Sequence, residues 1–303
     1  MAVTRKRLAL LVLCGSAVLV LYATTNDELM REMPIFQPLD MDVQCYKEPS
    51  AKGAFDNFDF RAEQARLSSG KNIFFHETSC FGRETNHQLE FNCRQACAVE
   101  SAARANPGMS VNLLFLSPSA PSNRTRKLLD LLLRYDNVRV KRILVDDYIK
   151  ESPLERWYED GVLGTSRWPR SHMSDILRYL TLWRFGGVYL DLDVVIIKSR
   201  GCMARTPIEN TQGKAKDMTV RRCNGFEVFP PPAFYPIFYK EWQRYFTEEK
   251  ANETMHLIKQ ARAIHVWNKL STSEVVHMGS RVPYALVAEK HCPRAYYGCG
   301  ATF

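Results

Sequence analysis

Two aspartates one residue apart, Asp191 and Asp193, stand inside an otherwise apolar run at 188–197. Side chains of an extended strand alternate between faces, so the pair would point one way and Leu192 the other, bringing two carboxylates to one spot. Burying both without compensation is costly. A hard divalent cation, Mn²⁺ or Mg²⁺, offers that compensation, because it takes carboxylate oxygens and can then bridge the phosphates of a nucleotide. Departure of a diphosphate in sugar transfer from a nucleotide sugar makes that demand, with the ion as Lewis acid and template. Positive charge grows on the anomeric carbon as the bond breaks, and a nearby oxygen must stabilise it. The catalytic oxygen is unknown from the residues alone. His265, after an apolar strand-like pair, is a candidate third metal ligand; a lone histidine is more often packed or hydrogen-bonded.

The elements that must position these groups are readable upstream. Ser174 is read as the N-cap of a helix whose core face is Ile176, Leu177, Leu180 and Trp183. Gly186 and Gly187 end that helix and let the chain turn into the acidic strand. Asp175 and Arg178 lie three apart on its polar face, a spacing that suits an intrahelical ion pair as well as a ligand contact. Before it come an apolar strand at 73–75, a helix at 92–104, a strand at 111–116, a helix at 124–134 and a strand at 138–145. Continuous apolar strands alternating with helices predict an α/β fold, its largely parallel sheet covered on both faces. Ligands of such sheets bind at the carboxyl ends of the strands. Residues 200–224 are polar, basic and aperiodic, and the prolines at 230, 231, 232 and 236 read as a rigid turn packed on the body.

The whole chain of 303 residues, 46% hydrophobic and 24% charged, suits one domain with appendages and excludes global disorder. Its net charge of +8 comes from scattered lysines and arginines without a basic stripe, so nucleic acid is not expected as a partner. Arg5, Lys6 and Arg7 precede an apolar run at 8–23, and Asp27 and Glu28 follow it. Positive charge stays cytoplasmic, so 1–7 reads as a tail and 8–23 as a short transmembrane signal anchor. A cleaved signal peptide is the rival, but Leu21 spoils the small-residue cleavage pattern before Ala23. Residues 24–70 lack sustained periodicity and read as a stem in the lumen. One of the nine cysteines lies in the anchor, leaving an even set for disulfides. Cys93 and Cys97 have helix spacing, yet no matching pair stands near, so disulfide or core packing is preferred to metal. Asn123-Arg124-Thr125 and Asn252-Glu253-Thr254 are glycosylation acceptors.

Four separated blocks carry a resemblance: the run at 174–198; Asn72-Ile73-Phe74-Phe75-His76-Glu77-Thr78-Ser79; Cys97-Ala98-Val99-Glu100-Ser101-Ala102-Ala103-Arg104; and 263–269 with its His-Val-Trp-Asn core. Together they resemble the alpha-1,4-glycosyltransferases. The resemblance implies a GT-A-type, Rossmann-like nucleotide-sugar-binding domain on a single N-terminal anchor, in a type II Golgi membrane protein whose body is lumenal. It implies Mn²⁺ dependence, a UDP-sugar donor and a glycolipid acceptor of the lactosylceramide kind or another glycan. Galactose or an N-acetylhexosamine would pass in alpha-1,4 linkage with retention of configuration. The family's metal motif falls on Asp191 and Asp193, and His265 lies in its C-terminal block. Donor contacts fall on Asp175, Arg178 and Asp191, and on Phe75, Glu77 and Thr78 where the base and ribose would lie. His76 stands where an apolar residue is expected.

The nucleotide half is thus read as 71–199 and the C-terminal part of the transferase domain as 200–303. Members of the family carry a Val-Asn-Gly-Ala-like strand and a Trp-Gly-His-Gln-Gly-Pro-like loop after the acidic strand, on the acceptor side. Here the chain passes from Ser199 to Arg200 without them, a shortfall of roughly fifty to sixty residues if a polar linker cannot replace core elements. A splice form or an incomplete gene model would explain it, and such a chain would transfer poorly. Two other readings compete. A lumenal UDP-binding or regulatory chain without transfer would keep the nucleotide half alone. A haloacid-dehalogenase-like phosphotransferase would also use Asp191-Leu192-Asp193, but that motif opens its domain, and here over a hundred residues precede it.

Overall fold

The computed structural model describes residues 43–81, 88–198 and 229–303. The expected anchor, Cys202, Cys223 and the polar segment at 200–224 lie outside them. No helix among the described residues is long and apolar enough to cross a membrane. The principal elements in chain order are α1 (Phe60–Leu67), β1 (Asn72–Glu77), α2 (Cys93–Ala105), β2 (Ser110–Phe115), α3 (Asn123–Leu132), β3 (Val138–Arg142), α4 (Pro169–Phe185), β4 (Val188–Tyr189), β5 (Val194–Ile196), α5 (Ala251–Gln260), β6 (Ala263–His265), α6 (Pro283–His291) and α7 (Pro293–Gly298).

The fold is mixed α/β around a parallel four-stranded sheet in the order β3-β2-β1-β4. Ile73 of β1 lies beside Val111 on one side and Val188 on the other. The crossovers through α2 and α3 carry the chain outward to β2 and β3, and β4 then returns to the opposite side of β1. That reversal opens a crevice at the carboxyl ends of β1 and β4, the position where open α/β sheets take their ligands.

All six residues of β1 are buried, which is why its centre, Ile73-Phe74-Phe75, reads as a continuous apolar run rather than an alternation. Ile73 and Phe75 enter one core with α2, α3 and the C-terminal helices. Phe74 enters a second with α1 and α4. Helix α2 starts on a capping box: the Asn92 side chain accepts from the Gln95 N–H and the Gln95 side chain from the Asn92 N–H. Ser122 caps α3. The third strand stops at Arg142, short of the expected 145, where the chain turns into a one-turn helix, Val145–Tyr148.

Helix α4 begins earlier than the sequence suggested. Pro169 occupies its first turn, where a fixed φ and a missing N–H suit the helix start, so Ser174 sits inside the helix rather than capping it. Its buried face is Met173, Leu177, Leu180, Thr181 and Phe185. Trp183, expected in that face, is 58% exposed and lies beneath the Arg184 guanidinium. Gly186 and Gly187 end the helix with φ of 63° and 89°. A Cβ on Gly187 would stand 2.4 Å from the Asn72 carbonyl oxygen, so glycine is what lets β4 lie against β1.

The part of the expected stem from Val43 onward belongs to the body. Tyr46, Phe58, Phe60 and Leu67 are buried in the second core, and Cys45 is bonded to Cys80. Arg142, fully buried, donates to the Cys45 and Glu48 carbonyls and to Ser50 Oγ. Short pieces anchored by isolated aromatics have no sustained period, which is why they read as a linker. Cys93 pairs with Cys299 and Cys97 with Cys292, so the two cysteines of α2 form disulfides rather than a metal pair. The proline cluster forms a tight turn, Pro231–Ala233, whose Ala233 carbonyl accepts from the Arg262 N–H at 2.7 Å.

Candidate functional site

Asp191 and Asp193 do not lie in one strand, contrary to the sequence reading. Strand β4 ends at Tyr189, β5 starts at Val194 in a different sheet, and the acids occupy the turn between them. They converge because β6 holds that turn. Val194 lies opposite His265 in the antiparallel β5–β6 pair. The Val266 N–H donates to the Asp193 carbonyl at 2.9 Å, and the Asn268 N–H donates to Asp193 Oδ2 at 3.0 Å. His265 Nε2 stands 3.3 Å from Asp193 Oδ1 and 3.9 Å from Asp191 Oδ2. One ligand atom from each of the three lies within 4.8 Å of the others.

The electrostatics of this cluster suit a cation. Burial pushes the Asp193 carboxyl above its ordinary value, more than His265 and the Asn268 N–H pull it down. Burial also pushes Asp191 upward, but the hydrogen bond from His265 and the charge of Arg178 outweigh it and hold that carboxyl low. One acid is compensated and its neighbour is short of positive charge. Two carboxylates with an imidazole make a donor set that fits Mn²⁺ or Mg²⁺. His265 Nδ1 accepts from the Trp267 N–H at 3.2 Å, which leaves the ring proton on Nε2, toward the acids. A cation held through Nε2 would need the ring proton on Nδ1, where the Trp267 N–H now donates, so ligation would be coupled to the backbone at 267.

Arg178 joins this cluster to α4. Its guanidinium is 3.3 Å from Asp175 Oδ1 and 3.6 Å from Asp191 Oδ1, and lies 5.0 Å from the Tyr189 ring centre. The intrahelical ion pair and the link to the acidic turn therefore coexist. At the end of β1, Glu77 is buried and accepts from the Ser79 N–H at 2.9 Å and from the Gln95 side chain. Thr78 is partly buried and its carbonyl accepts from the Tyr46 hydroxyl at 2.8 Å. Phe75 differs from expectation: its ring is fully buried in the first core, and the residue lies beside Leu113 within the sheet.

Several site residues escaped the sequence reading. Tyr189 lies beneath Arg178, and burial raises its hydroxyl pKa, keeping it a donor. His76, at the end of β1, packs 5.0 Å from the Tyr189 ring, and its Nε2 is 3.2 Å from Thr181 Oγ1. Asn268 fixes Asp193 through a backbone N–H that sequence cannot reveal. Trp267, inside the quoted His-Val-Trp-Asn block, has a left-handed φ of 57°. Such backbone in a bulky residue persists only where the surroundings enforce it, and it clusters at functional sites.

The chain is similar in sequence to several known proteins. Residues 92–212 match the glycosyltransferase sugar-binding region containing the DXD motif, and residues 208–299 match the alpha 1,4-glycosyltransferase conserved region. The chain is 28% identical over 282 residues to the lactosylceramide 4-alpha-galactosyltransferase of Rattus norvegicus, covering 76% of each chain. It is 28% identical over 279 residues to the Homo sapiens protein of that name, covering 74% of this chain and 76% of the other. It is 26% identical over 289 residues to the alpha-1,4-N-acetylglucosaminyltransferase of Homo sapiens, covering 77% of this chain and 82% of the other. Among solved structures it is similar to PaToxG glycosyltransferase, at 20% identity and a TM-score of 0.31 over 47% of this chain and 51% of that one. The sugar-binding region takes in Asp191 and Asp193 and the conserved region takes in His265, so the chain carries the paired signature of the alpha-1,4-glycosyltransferases, the family it resembles.

Proposed function

We propose that this chain is a UDP-sugar-dependent, retaining alpha-1,4-glycosyltransferase of the GT-A type, acting on a glycolipid such as lactosylceramide or on a related glycan. The observation that carries the proposal is the convergence of Asp191, Asp193, His265 and Arg178 at the carboxyl ends of β1 and β4. Asp191, Asp193 and His265 would hold Mn²⁺ or Mg²⁺. When bound, the cation supplies charge neutralisation for the departing diphosphate. Arg178, fixed by Asp175 and Asp191, presents a second positive group to the phosphates. Glu77 and Thr78 border the position of the base and ribose, with Phe75 contributing through the backbone. The donor is UDP-galactose or a UDP-N-acetylhexosamine. The N-terminal charge pattern supports a cytoplasmic tail at 1–7, an anchor at 8–23 and a Golgi lumenal body. Exposed Asn123 and Asn252 agree with lumenal glycosylation.

A second reading, UDP binding without efficient transfer, is favoured by one observation. The match to the Rattus norvegicus protein runs over 282 positions but draws on 76% of 303 residues, about 230, so about fifty aligned positions face no residue here. That number is of the size of the shortfall of roughly fifty to sixty residues that the sequence reading sets after Ser199. Positioning of an acceptor can account for roughly 7 to 11 kcal/mol of a barrier. The test compares the chain with a version carrying a relative's block after Ser199, reading UDP release with a lactosylceramide-like acceptor. The expected result is weak release by the chain and recovery with the block. Equal turnover would show that 200–224 replaces the block, and no UDP-sugar use by either would reject the transferase reading.

A further inference from the structure

We propose that Tyr235, backed by Trp267 and flanked by Tyr239, is the stacking platform for a sugar ring of the acceptor. This rests on the transferase reading and adds an acceptor subsite to it. Tyr235 is 46% exposed, its ring stacked on Trp267 with centres 5.7 Å apart and planes at 28°. Trp267 in turn lies 4.0 Å from the His265 ring, and Tyr235 itself is 5.8 Å from it. Tyr239 meets Trp267 edge to face at 6.0 Å and is 42% exposed. A run of aromatic rings thus leads from open surface directly to the acid–histidine centre.

A ring left open beside a cluster of charged groups gains most from a ligand that is apolar on one face and polar at its rim. A pyranose is such a ligand: its axial C–H groups meet the electron-rich ring face, and its hydroxyls point sideways. An acyl chain would bring an apolar surface beside the His265–Asp193 pair with no polar rim to meet it. The enforced left-handed backbone at Trp267 sets the indole against His265, so the platform and the metal centre share one rigid turn.

The test is saturation-transfer NMR of methyl β-lactoside with the full chain, comparing wild type, Tyr235→Ala, Tyr235→Leu and Tyr235→Phe, with Mn²⁺-dependent UDP binding and thermal melting measured on each. Tyr235 is exposed, so melting is expected to change little. Wild type and Tyr235→Phe should show saturation of the sugar's C–H face. Tyr235→Ala and Tyr235→Leu should weaken binding on the order of tenfold, with UDP affinity unchanged. Lactoside binding retained in Tyr235→Leu, or absent from a wild type that binds UDP, overturns the platform. Binding to phosphatidylcholine vesicles that is lost in Tyr235→Ala, with the lactoside response intact, also overturns it in favour of a membrane contact. A wild type that binds lactoside through Tyr235 but never UDP upholds the platform and rejects the donor reading instead.

Discussion

Arg178 joins Asp175 in α4 to Asp191 in the acidic turn while lying over Tyr189, which makes it the residue on which the proposed donor contact depends. A planar fork makes all three contacts at once and an ammonium group cannot. Arg178→Lys should therefore weaken UDP binding on the order of tenfold, although charge is kept; calorimetry in Mn²⁺ checks this, and an unchanged affinity rejects the role. His76 gives a pH dependence at the same scale. Burial, and then the charge of Arg178, pushes its imidazole down to about 3 from 6.5. Burial likewise takes His291 to about 4. Both folded values lie below the unfolded one, so the unfolded chain binds protons that the folded chain does not. Stability from these groups is complete above pH 6.5 and falls as pH drops toward 4 and 3, by about 1.4 kcal/mol per pH unit per proton. Urea midpoints between pH 8 and pH 5 should fall below pH 6.5, and His76→Leu should flatten the slope by about one proton. A slope unchanged in that variant would show that His76 does not titrate on unfolding.

Among the elements, the turn from α4 into β4 is the most constrained. Gly187→Ala adds a Cβ 2.4 Å from the Asn72 carbonyl at a φ of 89°. It should destabilise the fold by more than about 1 kcal/mol and, by moving β4, weaken Mn²⁺ binding as well. Denaturant titration and metal titration read the two effects, and a wild-type response in both would show that β4 tolerates displacement. This element also shows what the sequence discloses and what it hides. The glycine pair, the apolar Ile73-Phe74-Phe75 of β1 and the alternation of strands with helices are local patterns, and the parallel sheet follows from them. Asp191 and Asp193 were legible as a converging pair, but strand parity is not why they converge. The cause lies some seventy residues on, where β6 pairs with β5 and the Val266 and Asn268 N–H groups just after it hold Asp193. Long-range backbone hydrogen bonds leave no local signature, so the turn, Asn268 and the aromatic rings around His265 emerge only in three dimensions. Trp183 misled for a related reason: its spacing suits the core face, yet Met173 and Phe185 set the rotation of the helix.

Across the whole molecule, the nucleotide half and the C-terminal part share one core and are not independent units. Strands β5 and β6 come from the two parts, and Cys97–Cys292 and Cys93–Cys299 join α2 to the last helices across 195 and 206 residues. Replacing Cys97 and Cys292 with alanine should cost about 2 to 5 kcal/mol of stability, because crosslinks across long loops restrict the unfolded chain most. Thermal unfolding with and without reductant measures it; no difference would mean that the C-terminal helices dock without the crosslink. That docking matters to function, since it delivers His265, Trp267 and Asn268 to the acids that follow β4. The most direct test of a metal-dependent nucleotide site assembled from both parts is calorimetry of UDP binding to the full chain and to Asp193→Asn, each with Mn²⁺ and with a chelator. Wild type should bind UDP only with Mn²⁺, and Asp193→Asn, which keeps the volume and removes the charge, should lose on the order of tenfold or more in affinity while remaining folded. UDP binding that persists in chelator, or that is equal in a folded Asp193→Asn variant, would contradict the assignment.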